Sequence, residues 1–181
     1  MQARNKLTAF EQAMLPHLDA AHNLARWLTG NEDDAQDAVQ EAYLRAFQSF
    51  HTFRGGDSRA WMLTVVRNAC YTSLRRNRRG TLNEPFDDAM YLISGDSNNP
   101  EALVLEQIDR EALHTALAEL PAPFREVIVL REMEGLSYKE IAQVVKTPLG
   151  TVMSRLARAR QQLQQQLAKG TEQQREQRPE L

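Results

Sequence analysis

Glycine and proline fall between the periodic stretches of this chain and almost never inside them, and that spacing constrains the fold more than any other feature. Gly30, the Gly55-Gly56 pair, Gly80, Pro85, Gly95, Pro100, Pro121, Pro123, Gly135, Pro148, Gly150 and Gly170 leave segments of helical length between them. No alternating, β-branched run bounded by hairpin turns occurs, so the expected class is all-α. Pro16 should split the first segment, roughly 7–29, because its ring removes a helical hydrogen bond and clashes with the preceding turn.

One break differs from the others. From Gly80 to Pro100, Gly, Pro, Asn, Asp and Ser interrupt every incipient period, and residues 81–100 carry four acids, Glu84, Asp87, Asp88 and Asp96, with no base. This is the pattern of a flexible acidic linker between two small helical domains. The expected organisation is a first domain over 1–80, the linker over 81–100, a second domain over 101–170 and a disordered tail over 171–181. Phe86, Met90, Tyr91, Leu92 and Ile93 make the linker more apolar than a passive spacer requires. The formal charge of −2 is uninformative, because residues 1–80 hold 11 bases against 8 acids and 101–181 hold 11 against 12. Local faces must decide which partners the chain has.

Several function classes fall at the counting step. A single cysteine, Cys70, excludes a disulfide scaffold, and His17, His22, His51 and His114 have no ligand spacing with it or each other, so neither a metal nor a cofactor is expected. Cys70 reads as a small core residue. No stretch reaches the roughly 18 to 20 apolar residues of a membrane helix, and Met1 to Glu11 lacks a basic-then-apolar signal pattern. A cytoplasmic location is therefore expected. No nucleophile-base set, phosphate-binding glycine loop or paired catalytic carboxylates stand out, so an enzyme is not expected.

In the C-terminal half, Ser137-Tyr138-Lys139-Glu140 has the form of a capping box and should start a helix at Ser137. Ile141, Val144 and Val145 give that helix an apolar face. Thr147-Pro148 would then cap and open a second helix, completing a helix-turn-helix. At 100° per residue, Val152, Leu156, Ala159, Leu163 and Leu167 share its packed face, while Ser154, Ala157, Arg158 and Gln161 lie opposite and Thr151, Arg155 and Arg160 flank them. A helix seated in the major groove would meet base edges with its outermost residues and phosphates with its flanks. A solvated Arg/Gln face is the plainer account of the helix alone, and the cap, the turn and small Ala142 weigh against it.

In the N-terminal half, a helix from Asp57 or Ser58 to Arg79 should bury Leu63, Val66, Cys70 and Leu74 and turn Trp61, Asn68, Thr72, Arg75 and Arg79 outward. Upstream, His51-Thr52-Phe53-Arg54-Gly55-Gly56-Asp57 is a loop with an aromatic, a base and two glycines. Rings and guanidinium groups together suit single-stranded nucleic acid, whose bases stack and whose phosphates need cations. Trp61 could equally cover a neighbouring helix. Tyr43, Phe47 and Phe50 read as core aromatics. Asp34, Asp37 and Glu41, three and four residues apart, suit both a helix dipole and a basic protein partner.

These residues resemble a known family, the extracytoplasmic-function sigma factors of bacterial RNA polymerase. The stretch Leu28-Thr29-Gly30-Asn31-Glu32-Asp33-Asp34 through Tyr43, then Phe53-Arg54-Gly55, Arg59-Ala60-Trp61-Met62-Leu63 and Arg67-Asn68-Ala69, is similar to that family's region two. Leu120-Pro121, Arg125, Leu130-Arg131-Glu132, Gly135 to Ala142 and Thr147 to Arg160 are similar to its region four. The resemblance implies a promoter-specificity subunit that binds core RNA polymerase, recruits it to promoter DNA and helps open the duplex, with no catalysis of its own.

By that resemblance Asp34, Asp37, Gln40 and Glu41 would meet the coiled coil of the largest polymerase subunit. Phe53, Arg54 and Asn68 would line the region that captures an extruded non-template base of the minus-ten element, with Trp61, Thr72, Arg75, Arg76 and Arg79 beside the single strand. Thr151, Ser154, Arg155, Ala157, Arg158 and Arg160 would read and clamp the minus-thirty-five duplex. The linker would thread the polymerase cleft, and an anti-sigma factor would hold the protein inactive. Met153 and Ala157 depart from residues often found in the family's recognition helix, so the promoter sequence does not carry over.

The linker length adds a physical constraint. Its 20 residues reach at most about 70 Å and as a coil span about 25 Å. Two DNA elements two helical turns apart lie about 70 Å from each other. An external scaffold is then needed to hold both domains on their sites. The alternative is a stand-alone, dimeric helix-turn-helix regulator, which leaves the Trp61, Asn68 and arginine face unexplained. A helical adaptor whose basic faces merely meet an acidic partner is a third reading.

Overall fold

The computed structural model describes residues 2–77 and 110–176, with side chains described from 5 to 77 and from 112 to 169. The 81–100 linker and Arg79 lie outside the described residues. Among the described residues there is no strand, and the fold is all-α. No helix among them is long and apolar enough to cross a membrane.

Four helices build the N-terminal bundle: α1 (Gln2–Met14), α2 (Leu18–Thr29), α3 (Glu32–Gln48) and α4 (Ser58–Asn77). Pro16 sits in a short 3-10 turn, Leu15–His17, and divides α1 from α2 as its chemistry requires. Helix α2 ends at Gly30, whose φ of 83° lets its N–H return to the Arg26 carbonyl at 2.9 Å. Asn31 then caps α3, its side chain accepting from the Asp34 N–H at 2.8 Å. The buried face of α3 is Ala35, Ala38, Val39, Ala42 and Ala46. Such small residues let helix axes approach closely. Helix α4 fills the centre with Ala60, Met62, Leu63, Val66, Ala69 and Cys70 buried. This face is wider than one stripe because α4 has neighbours on several sides, and Leu74 near its end is only half-buried. Phe10 of α1 meets Tyr43, Phe47 and Phe50 edge-on, with centroids 6.3, 5.3 and 5.3 Å apart, so those rings are core aromatics as expected.

The C-terminal bundle comprises α5 (Arg110–Glu119), α6 (Ala122–Ile128), α7 (Tyr138–Val145) and α8 (Leu149–Glu176). After α6 the backbone widens into a π turn over Val129–Met133, where the Glu134 N–H reaches the Val129 carbonyl at 3.1 Å. The capping box forms in both directions: Glu140 N–H to Ser137 Oγ at 3.2 Å, and Ser137 N–H to Glu140 Oε2 at 2.5 Å. Lys146 closes α7 in the left-handed region at φ 53°. Helix α8 buries Val152, Leu156, Ala159 and Leu163 in register, with Leu167 half-buried. Burying a leucine such as Leu120 or Leu156 contributes on the order of 2 kcal/mol.

One sequence expectation needs correction. Thr147 does not cap α8, since its Oγ1 is buried with no hydrogen-bond partner; Pro148 stands one place ahead of the helix, and its carbonyl takes the Val152 N–H at 3.1 Å. Helix α8 continues past Gly170 to Glu176, since a glycine is tolerated within an otherwise good helix-forming run of Gln, Glu and Arg. The two bundles are also in contact with each other. Helix α4 packs on α7, and α2 packs on α6 and the π turn.

Candidate nucleic-acid interface

The loop before α4 is shaped by Gly55 and Gly56, at φ 83° and 101°, conformations a side chain would resist. This brings Phe53 back over the helix it precedes. Its ring lies 5.9 Å from Phe50, nearly parallel, and 5.4 Å from Trp61. Trp61 is therefore partly covered by Phe53 and packed on the core, which departs from the outward placement expected of it. Phe53, Arg54, Gly55, Asp57, Trp61, Thr64 and, from α7, Gln143 line a cleft of about 340 Å³. Arg54 itself is exposed.

Asn68 does not share that cleft. It is exposed one turn further along α4, where Arg67, Asn68, Tyr71, Thr72 and Arg75 face Pro123, Thr147 and Arg155 across a second cleft of about 460 Å³. The Thr72 hydroxyl is turned back to the Asn68 carbonyl at 2.8 Å. Arg75 is exposed, and Arg76 approaches Glu41 of α3 at 3.8 Å. Of the residues expected at a melted strand, Phe53, Arg54 and Trp61 line one cleft and Asn68, Thr72 and Arg75 line the other.

On α8, Ala157 and Met153 are exposed at the outer face, with Ser154 and Arg158 half-buried beside them. Ser154 Oγ donates to the Thr151 carbonyl at 3.0 Å. The two flanking arginines are held within the protein: Arg160 pairs with Glu132 at 2.7 Å, and Arg155, its side chain only 12% exposed, points at Glu126 at 3.9 Å. On α3, Asp37 and Gln40 are exposed, Asp34 accepts from the Asn31 side chain at 2.8 Å, and Glu41 is drawn to Arg45.

Sequence reasoning missed the group at the centre of this region. Glu126 is fully buried, and its carboxylate accepts two hydrogen bonds from Arg67, at 2.7 and 3.0 Å, and one from the Tyr71 hydroxyl at 3.1 Å. The Arg67 guanidinium lies over the Tyr71 ring at 4.6 Å. Burial lifts the Glu126 carboxyl above its ordinary range, and the Arg67 and Tyr71 hydrogen bonds and the Arg155 charge bring it only part of the way back. Burial likewise raises the Tyr71 hydroxyl. One signal was available in the sequence: Glu126 is the sole acid in the apolar run from Phe124 to Leu130. A carboxylate buried there demands a partner.

Comparison with known proteins agrees with this layout. Residues 14–80 match the family "Sigma-70 region 2" and residues 110–163 match "Sigma-70, region 4". The chain is 35% identical over 135 residues to the ECF RNA polymerase sigma-E factor of Escherichia coli, covering 71% of each. It is 30% identical over 171 residues to the RNA polymerase sigma-H factor of Pseudomonas aeruginosa, covering 91% of this chain and 89% of that one. The ECF RNA polymerase sigma factor SigE of Mycolicibacterium smegmatis is 34% identical over 90% of this chain, which spans 63% of that relative's length. Among solved structures, the sigma factor RpoE in complex with the anti-sigma factor NepR from Bartonella quintana superposes with a TM-score of 0.69 at 29% identity, over 88% of this chain and 97% of that one. CnrH in complex with the cytosolic domain of CnrY gives 0.60 at 26%, over 90% and 89%. The chain belongs to the sigma-70 family, in its extracytoplasmic-function branch.

Proposed function

We propose that the protein directs core RNA polymerase to promoters bearing minus-ten and minus-thirty-five elements and assists strand opening, as a cytoplasmic subunit without catalysis of its own. The observation that carries this reading is the presence of both regions in one chain, in family order. A regulator that only binds duplex DNA needs region 4 alone, and no observation favours it.

Within that reading, region 2 runs to about residue 80 and region 4 from about 101 to 170, with 81–100 as the connecting segment. Phe53, Arg54 and Trp61 supply a ring-lined cleft beside α4 into which a flipped base can stack. Flipping costs a few kcal/mol, and stacking is worth about 1–3 kcal/mol per base. Asn68, Thr72 and Arg75, with Arg76 and Arg79, continue the track along the strand. Ser154, Ala157 and Arg158 face the minus-thirty-five major groove, with Thr151, Arg155 and Arg160 as flanking phosphate contacts. Asp34, Asp37, Gln40 and Glu41 present an acidic face to the polymerase. An anti-sigma factor is the expected inhibitor, as for the RpoE relative.

The test is run-off transcription with core polymerase, with and without this chain. Initiation at specific promoters should depend on the chain. Asn68→Ala should weaken strand opening and Arg158→Ala upstream binding, each without loss of core affinity. Equal loss of core affinity in both would defeat the residue assignments.

A further inference from the structure

Helix α8 packs with Val152, Leu156, Ala159 and Leu163, and its other side divides lengthwise into two stripes. One runs through Gly150, Ser154 and Arg158; the other runs through Leu149, Met153 and Ala157, each residue four positions from the last. Leu149 and Met153 are 41% and 52% exposed, and they are the exposed large hydrophobics of α8 among its described residues. Neither belongs to the packed core. Single apolar side chains scattered on a surface are ordinary, but these two stand one turn apart in a row that Ala157 continues.

The charge around the apolar row selects its partner. From Tyr138 to Leu163 the chain carries five bases, Lys139, Lys146, Arg155, Arg158 and Arg160, against one acid, Glu140, which the capping box already engages. Such a surface suits a polyanion. Among the donors and acceptors of its base edges, the major groove of duplex DNA offers one apolar group, the C5 methyl of thymine. Hydrogen-bonding groups are sparse on the outer face of α8. Ser154 Oγ gives its hydrogen to the Thr151 carbonyl at 3.0 Å, Arg160 is paired with Glu132 at 2.7 Å, and the Ala157 side chain has none to give. Methionine, unbranched and ending in a polarizable thioether, can follow a methyl along the groove floor.

We propose that α8 reads its duplex through thymine methyl groups, with Met153 as the specificity-determining contact and Leu149 and Ala157 extending that contact along the groove. The proposal rests on the function proposed above, which sets α8 on the minus-thirty-five element, and it names the base this helix prefers there. Ser154 and Arg158, on the neighbouring stripe, face the polar edges of the same base pairs. A cytosine in place of the thymine lacks the methyl, so the Met153 side chain meets a bare ring edge and buries one carbon less. Losing one such carbon corresponds to about fourfold in affinity.

The test uses holoenzyme assembled from core polymerase and the full chain. A promoter library randomised across the minus-thirty-five element is selected for binding, and the recovered sequences should hold at least one fixed T·A pair. Uracil is then put in place of each such thymine, which removes the methyl and leaves every hydrogen-bonding group. At one position or more the parent should lose about fourfold in affinity. Met153→Ala should lose as much on the thymine duplex and nothing further with uracil, whereas Met153→Leu should keep the uracil response. Met153 is exposed, so neither substitution disturbs the core. Arg158→Ala should bind more weakly and still respond to uracil. Full parent affinity on every uracil duplex, recovery of an element with no T·A pair, or a Met153→Ala variant that responds to uracil as the parent does overturns the proposal while leaving α8 on the duplex. No enrichment at any minus-thirty-five position, with Arg158→Ala unaffected, overturns the proposal together with that placement of α8.

Discussion

Glu126 shows how much one buried charge can organise. Breaking a buried pair by removing one partner leaves the other desolvated and unpaired, at a cost of about 3–5 kcal/mol. Glu126→Ala should therefore lower stability by about that amount in urea unfolding, whereas Glu126→Gln, which keeps an acceptor for Tyr71, should lose less. His17 gives a pH test. Its ring is hydrogen-bonded to Ser58 Oγ at 2.8 Å, and burial, then the Arg59 charge, hold its pKa below the ordinary value of about 6.5, with Asp57 opposing. The unfolded chain then binds the proton more readily than the folded one. The His17 contribution is complete above pH 6.5 and is lost as pH falls through the depressed native value. Melting temperature should drop across that interval in the parent and less steeply in His17→Gln.

Among the helices, agreement between sequence and structure is closest where the signal lies within one turn. The Ser137–Glu140 box, the Pro16 break, the Gly30 stop and the apolar register of α8 all formed as read. Thr147-Pro148 misled because a cap depends on where the hydroxyl points, and packing has turned Thr147 inward. The turn between α7 and α8 is made instead by Lys146 at φ 53°, a conformation that crowds Cβ against the following carbonyl at a cost of about 1–2 kcal/mol. Lys146→Gly should relieve it and raise stability by about 0.5–1 kcal/mol, net of the greater freedom of glycine when unfolded. An unchanged or lower midpoint in chemical denaturation would show that the strain is already offset.

At the scale of the molecule, the site expected from sequence divides. Phe53, Arg54 and Trp61 form one cleft, Asn68, Thr72 and Arg75 another, and Arg155 and Arg160 are engaged by Glu126 and Glu132 instead of lying open on the outer face. A 20-residue linker whose coil spans about 25 Å does not by itself hold two domains on DNA elements about 70 Å apart. DNase footprinting with the protein alone should accordingly show no joint protection of both elements, and adding core polymerase should produce it. Joint protection without polymerase would contradict the scaffold requirement.

Helix class, helix breaks, the capped start of α7 and the packed face of α8 were settled by residues within a few positions of each other, because periodicity, caps and proline act over a single turn. Membership of the sigma-70 family was legible in the same local motifs. Which groups neutralise Glu126, Glu134 and Arg125 was decided only by the tertiary structure, since their partners lie 59, 75 and 98 positions away. A buried charge announces in sequence that it needs a counter-charge, but only the packing of α4 against α6 and α7 determines which one arrives.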